Sequence, residues 1–172
     1  MRWTFRLALV GCVSVAMAAV TAIGVFATTP ADHANQINVT FHETPVVITD
    51  HVADLGIRQI ILTSTWTFDG FGSVTDVTSV TQDTTVHPCG AGSSSEVATR
   101  RIVSSEGMLV LREGGIQCVV GSGPVFRGTY TVDGNASTGV FAGAEGSGTV
   151  TVHIPVSTTL SGRLKLAHSS LV

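Results

Sequence analysis

Along residues 60–68, one set of alternate positions is mostly apolar and the other is mostly threonine. The first set is Ile60, Leu62, Ser64, Trp66 and Phe68, and the second is Ile61, Thr63, Thr65 and Thr67. A period of two is that of a β-strand, in which successive side chains point to opposite faces of the sheet. The pattern therefore predicts a strand that buries Leu62 and Trp66 and exposes the threonines to water.

Similar runs follow throughout the chain, and none beyond residue 27 has the i, i+3, i+4, i+7 spacing of an amphipathic helix. The predicted strands lie within residues 37–43, 46–49, 60–68, 74–86, 96–103, 108–112, 126–132, 149–154 and 163–166. Turn signals rich in Gly, Asp and Asn separate them at residues 69–70, 113–115, 121–124 and 133–135. Short strands at this spacing predict a sandwich or a barrel.

We expect an all-β fold, a small closed antiparallel barrel of about eight strands, because closure removes exposed sheet edges. Glycines at positions 128, 143, 146 and 148 fit a barrel, since glycine within a strand permits sharp coiling and close backbone approach. A two-sheet sandwich is the alternative fold.

The N-terminus has the pattern of a signal peptide, with Arg2 and Arg6 before the uncharged apolar residues 7–27. We expect a signal helix over residues 1–27 that is cleaved after Ala27, a polar linker over 28–36, and one barrel domain over 37–172. An uncleaved membrane anchor is the alternative, because the apolar run is long enough to span a bilayer. Either way the domain is predicted to be secreted or to face outward in the cell envelope.

The charge of the mature chain disfavours nucleic acid as a partner. Loss of residues 1–27 removes two of nine basic residues and none of twelve acidic ones, leaving seven against twelve, a net charge of −5. Phosphate backbones are held by clustered Lys and Arg, whereas here only Arg100 and Arg101 are adjacent. We interpret that pair as part of a solvated strand face. Contact with a membrane is expected only through an uncleaved leader.

Cys89 and Cys118 are the two cysteines of the mature chain, and in an oxidising compartment they are predicted to form a disulfide. No metal site or cofactor is expected. Asp50, His51 and Asp54 are metal-ligand types, but their place between two β-runs favours a solvated connection.

The segment from Gly128 to Thr149 carries a glycine-rich signature. It includes Ser137-Thr138-Gly139 and then Phe141-Ala142-Gly143-Ala144-Glu145-Gly146-Ser147-Gly148. It resembles the late strands of the allene oxide cyclase and dirigent-like barrels, and in particular exported bacterial relatives of unknown function. The resemblance implies an eight-stranded antiparallel barrel; it implies no catalytic residue, because one fold carries different activities.

Five large aromatic residues are available to fill the barrel or to line an apolar pocket at its mouth: Trp66, Phe68, Phe126, Tyr130 and Phe141. Two acid–base pairs are conceivable, His42 with Glu43 and His153 with Glu145, although alternation places His153 outside. With no catalytic motif in the chain, the leading expectation is a non-catalytic barrel that binds a small apolar ligand or a surface partner. The alternative is a cyclase or isomerase, which a buried carboxylate or histidine of shifted pKa in a cavity would favour.

Overall fold

The computed structural model describes residues 35–51, 55–154 and 157–167, with the backbone alone for residue 35 and for residues 45–51. The predicted signal helix, most of the predicted linker, the Asp54 position and the side chains of Asp50 and His51 lie outside it. The strands are β1 (Asn35–Phe41), β2 (Thr44–His51), β3 (Ile57–Phe68), β4 (Gly72–Asp83), β5 (Ser94–Ser104), β6 (Gly107–Val120), β7 (Gly123–Val132), β8 (Glu145–His153) and β9 (Ser157–Lys165).

All nine strands form one curled antiparallel sheet in the order β1-β9-β8-β7-β6-β5-β4-β3-β2. The two edge strands, β1 and β2, are consecutive in the chain and are joined by His42 and Glu43 alone. The chain bends there, so that residues 35–41 pair with β9 whereas 44–51 pair with β3. The bend separates β1 from β2, which correspond to the predicted strands at residues 37–43 and 46–49.

The period-two prediction for β3 is confirmed at its C-terminal half. Trp66 and Phe68 are buried, and Thr65 and Thr67 are exposed. Gly70 has a φ of 83° in the predicted turn between β3 and β4. The inner face of the sheet is therefore the face that carries Leu62, Trp66 and Phe68.

The predicted turn at residues 113–115 is wrong, because β6 runs unbroken from Gly107 to Val120. Gly115 pairs with Gly128 of β7, and a Cβ on either residue would overlap the backbone of the other strand. Glycine here permits close strand approach instead of a chain reversal. Gly128, Gly146 and Gly148 lie within strands as expected, whereas Gly143 lies in a turn with a φ of 70°.

The segment that carries the glycine-rich signature covers one end of the inner face. Its short 3₁₀ helix, Gly139–Phe141, places the fully buried Phe141 ring against Phe71, with 4.7 Å between ring centroids. Ser137 Oγ accepts a hydrogen bond from the Val110 backbone N–H at 2.9 Å, which ties the segment to β6. The apolar core is concentrated at this end.

The predicted disulfide between Cys89 and Cys118 is present. It joins the loop after β4 to β6, with 5.7 Å between the two Cα atoms, a separation usual for disulfides. Ser93 Oγ accepts from the Cys89 backbone N–H at 3.1 Å and donates to the Gly90 carbonyl at 2.6 Å. These contacts hold the loop in a compact form.

Candidate ligand-binding cavity

A cavity of about 280 Å³ opens on the inner face at the end of the sheet away from Phe141. Its lining comes from strands β3 to β9, from Ile154 after β8 and from Glu43 in the connection between β1 and β2. The apolar wall consists of Ile60, Leu62, Val80, Ala98, Pro124, Phe126, Val152 and Ile154. The polar lining consists of Glu43, Arg58, Thr78, Gln82, Glu96, Arg100, Glu113, Gln117, His153, Ser157 and Thr158.

Arg100 lies at the centre of the polar lining and contacts three carboxylates. Its Nε atom is 2.5 Å from Glu113 Oε1, and its Nη1 atom is 2.5 Å from Asp76 Oδ2 and 2.7 Å from Glu43 Oε1. The exposed fraction of Arg100 is 1%. We call Arg100, Glu43, Asp76 and Glu113 the ion cluster. It links β4, β5 and β6 to the bend between β1 and β2.

The expectation that Arg100 and Arg101 form a solvated face is wrong for Arg100. Only Arg101 is exposed. Alternation places Arg100 on the same face as the buried Ile102, so the strand carries the guanidinium inward. Buried charges need partners, and the three carboxylates supply them.

Neutral groups complete the shell around the ion cluster. Thr158 on β9 donates a short hydrogen bond to Glu43 Oε2, and Thr78 donates to Asp76 Oδ1 at 3.1 Å. The Arg100 guanidinium carbon lies 5.4 Å from the centroid of the Phe41 ring, within cation–π range.

Burial and charge shift the acid–base properties of this cluster. Burial, partly opposed by Arg100, raises the pKa of Asp76 to about 6. Burial lowers the pKa of Arg100, but the charges of Glu113, Asp76 and Glu43 outweigh it and leave that pKa well above its usual value. Arg100 therefore stays charged, whereas Asp76 can take up a proton in mildly acidic solution.

Glu96 is a second buried carboxylate on the cavity wall. Its Oε1 atom accepts hydrogen bonds from Gln82 Nε2 at 2.5 Å and from Ser94 Oγ at 3.4 Å. Gln82 Nε2 also lies 3.3 Å from Gln117 Oε1. Burial raises the pKa of Glu96 despite the hydrogen bonds from Gln82 and Ser94. Among the described residues, Glu96 makes no ion pair with a cation.

Three buried donors near the ion cluster have no hydrogen-bond partner among the described residues: Ser64 Oγ, Trp66 Nε1 and the Tyr130 hydroxyl. Ser64 is the cross-strand partner of Asp76, and Tyr130 is that of Glu113. Burial, reinforced by the negative charge of Glu113, raises the pKa of Tyr130 to about 12. The Tyr130 hydroxyl therefore stays protonated at neutral pH.

The five aromatic residues predicted to fill or line the barrel divide between core and cavity. Phe126 lines the cavity and also contacts the core, whereas Trp66, Phe68, Tyr130 and Phe141 belong to the core alone. Trp66 stacks on Phe41 with 4.8 Å between ring centroids and an interplanar angle of 9°.

The two conceivable histidine–carboxylate pairs do not form. His153 is exposed at the cavity rim, and Glu145 lies at the opposite end of β8. His42 is exposed, whereas Glu43 turns inward to Arg100. Within the described ranges, no group of three or more His, Cys, Asp or Glu side chains could hold a metal ion.

In comparisons with known proteins, no family model, curated protein or solved structure matches the chain. In the part of the chain that the structure describes, none of the helices has the length and apolar character needed to cross a membrane.

Proposed function

We propose that this protein binds a small, largely apolar ligand in the cavity that strands β3 to β9 line. Binding takes place outside the cytoplasm and involves no catalysis. The observation that carries the proposal is the cavity itself, whose exposed surface is mainly apolar although eleven polar residues also contribute to its lining. Small-molecule sites have this composition, in which apolar surface supplies affinity and polar groups supply orientation. At about 280 Å³, the cavity suits a ligand smaller than a typical drug molecule.

A preformed ligand-binding cavity requires walls that do not collapse. The ion cluster stabilises these walls because it connects the elements that form them. Arg100 connects the bend at Glu43 with β4 and β6, and Thr158 connects the same bend with β9. We further propose that the bend closes the sheet into a barrel, since the strands on its two sides belong to opposite edges. Such a barrel would leave the ligand only the open end at which His153 lies.

Export and the barrel family are parts of the same proposal. The signal-peptide pattern of residues 1–27 and the disulfide between Cys89 and Cys118 both support an oxidising, extracytoplasmic location. The resemblance of residues 128–149 to allene oxide cyclase and dirigent-like barrels supports a ligand-holding barrel and does not specify the ligand.

A second candidate function is acid–base catalysis of the cyclase or isomerase type. Glu96 favours it, because this carboxylate lines the cavity and its pKa is raised by burial. A turnover assay cannot begin before a ligand is known, so identification of the ligand comes first. Conversion of that ligand by the wild type and not by Glu96→Gln would establish the enzyme.

Native mass spectrometry of protein purified from its own host tests the binding proposal. Ala98 lines the cavity and Val97, its neighbour on β5, is 62% exposed, so Ala98→Phe fills the cavity whereas Val97→Phe does not. We expect a bound small molecule on the wild type and on Val97→Phe, and none on Ala98→Phe. A ligand retained equally by all three proteins would place the site elsewhere.

A further inference from the structure

The charges around the base of the cavity are unbalanced. Glu43, Glu96 and Glu113 line it and Asp76 contacts Arg100, which gives four carboxylates and one buried guanidinium in this part of the protein. Arg100 contacts three of them, and Glu96 receives hydrogen bonds only from neutral donors among the described residues. Arg58 is also part of the lining, but it is exposed.

Carboxylates removed from water without a compensating cation are energetically unfavourable. The protein can relieve this either by holding protons on them or by admitting a positive charge. Both hydrogen bonds to Glu96 from the described residues end on Oε1, so Oε2 is the oxygen available to a ligand. The apolar side chains of Leu62, Val80 and Phe126 belong to the same cavity and can cover the uncharged part of that ligand.

We propose that the ligand is a small organic amine, bound as its ammonium cation with the charged group at Glu96 and the apolar body against Leu62, Val80 and Phe126. This inference rests on the proposed function, because it specifies which class of molecule the same cavity accepts. The ammonium group can satisfy a carboxylate for which Gln82 and Ser94 provide no positive charge. An anion would meet the three carboxylates of the lining, Glu43, Glu96 and Glu113, and bind least well.

Three probes of similar size and different charge test the inference: 2-phenylethylamine, 2-phenylethanol and 3-phenylpropionate, each titrated calorimetrically into the full mature protein at pH 7.5. We expect the amine to bind at least about tenfold more tightly than the alcohol, as a charge-assisted hydrogen bond would give. The carboxylate is expected to bind more weakly than both.

Two variants locate the effect. Glu96→Gln keeps the size of the side chain and removes its charge, and we expect it to reduce amine affinity about tenfold with little change for the alcohol. Glu106→Gln makes the same change at an exposed turn and should alter neither affinity. Thermal unfolding of each variant checks that the fold is retained, and amine affinity that is the same in wild type and a folded Glu96→Gln would overturn the assignment to Glu96.

The outcomes separate this inference from the proposed function. If the alcohol binds as tightly as the amine, or the propionate binds best, the cavity is a ligand site and the cationic class is wrong. If none of the three probes binds and no ligand copurifies, both the cationic class and the proposed function are wrong.

Discussion

The Nη1 atom of Arg100 lies 2.5 Å from Oδ2 of Asp76, and the two side chains are 1% and 0% exposed. This pair stands at the boundary between two parts of the inner face. On one side lie the apolar core and the Phe141 ring, and on the other lies the cavity. The ion cluster, which this pair forms with Glu43 and Glu113, therefore lies between the apolar core and the cavity.

Replacement of Arg100 is expected to be severely destabilising. Arg100→Met removes the only guanidinium that contacts Glu43, Asp76 and Glu113 among the described residues, so the folded state must hold uncompensated carboxylates or protonate them. Loss of one partner from a buried ion pair typically lowers the free energy of unfolding by about 3 to 5 kcal/mol. Denaturant unfolding measures this, with the exposed Arg101→Met as control at under about 0.5 kcal/mol. Equal effects of the two substitutions would contradict the buried position of Arg100.

Asp76 should make stability depend on pH in a direction opposite to that of an ordinary salt-bridged carboxylate. Its pKa in the folded protein is about 6, above that of an aspartate in the unfolded chain. As the pH falls from 7 to 4, the folded state binds a proton that the unfolded state does not, so this residue contributes increasing stability. The gain is at most about 3 kcal/mol.

Unfolding free energies of the wild type and Asp76→Asn, measured between pH 7 and pH 4, isolate that contribution. We expect the wild type to gain stability relative to the variant as the pH is lowered, since the other titrating groups are common to both. Parallel curves would mean that the Asp76 pKa is not raised. A relative loss for the wild type would mean that Arg100 lowers it instead.

Trp66→Ala should reduce the free energy of unfolding by about 3 to 5 kcal/mol, because it removes a buried ring stacked on Phe41 and leaves a cavity. Thr65→Ala, on the exposed face of the same strand, should cost under about 1 kcal/mol. Equilibrium unfolding in urea compares them. A larger effect for Thr65→Ala would mean that the inner and outer faces of β3 are reversed.

The disulfide is expected to stabilise the domain by restricting the unfolded chain across 29 residues. The double substitution Cys89→Ser with Cys118→Ser should lower stability by about 2 to 5 kcal/mol. Thermal unfolding with and without reductant gives the comparison, because reductant should destabilise the wild type and leave the double variant unchanged. Free thiols in native protein would contradict the pairing.

The sequence predicts the strands better than it predicts the contents of the inner face. Period two in residues 60–68 identifies both faces of β3, since burial of Trp66 and exposure of Thr65 depend only on alternation. The glycines at 114 and 115 lead to the wrong prediction of a turn, because glycine also allows two strands to approach each other closely. Only the position of β7 distinguishes that use from a turn.

Sequence reasoning misses the ion cluster when it interprets Arg100 by its residue type and not by its position in the strand. Alternation places Asp76 on the face of Val74 and Val80, and Arg100 on the face of Ile102, so the signal is present. What no local pattern contains is the curl of the sheet that brings Asp76, Arg100 and Glu43 together across 57 residues of sequence. The size of the cavity depends on the same curl.

Methyl NMR of the mature protein titrated with 2-phenylethanol tests most directly whether the cavity is the ligand site. The neutral probe makes the result independent of the charge of the ligand. We predict shift changes at the methyl groups of Ile60, Leu62, Val80 and Val152, which line the cavity, and none at the exposed Val97 and Val103. Changes confined to Val97 and Val103, or no saturable change at any methyl group, would contradict the proposed site.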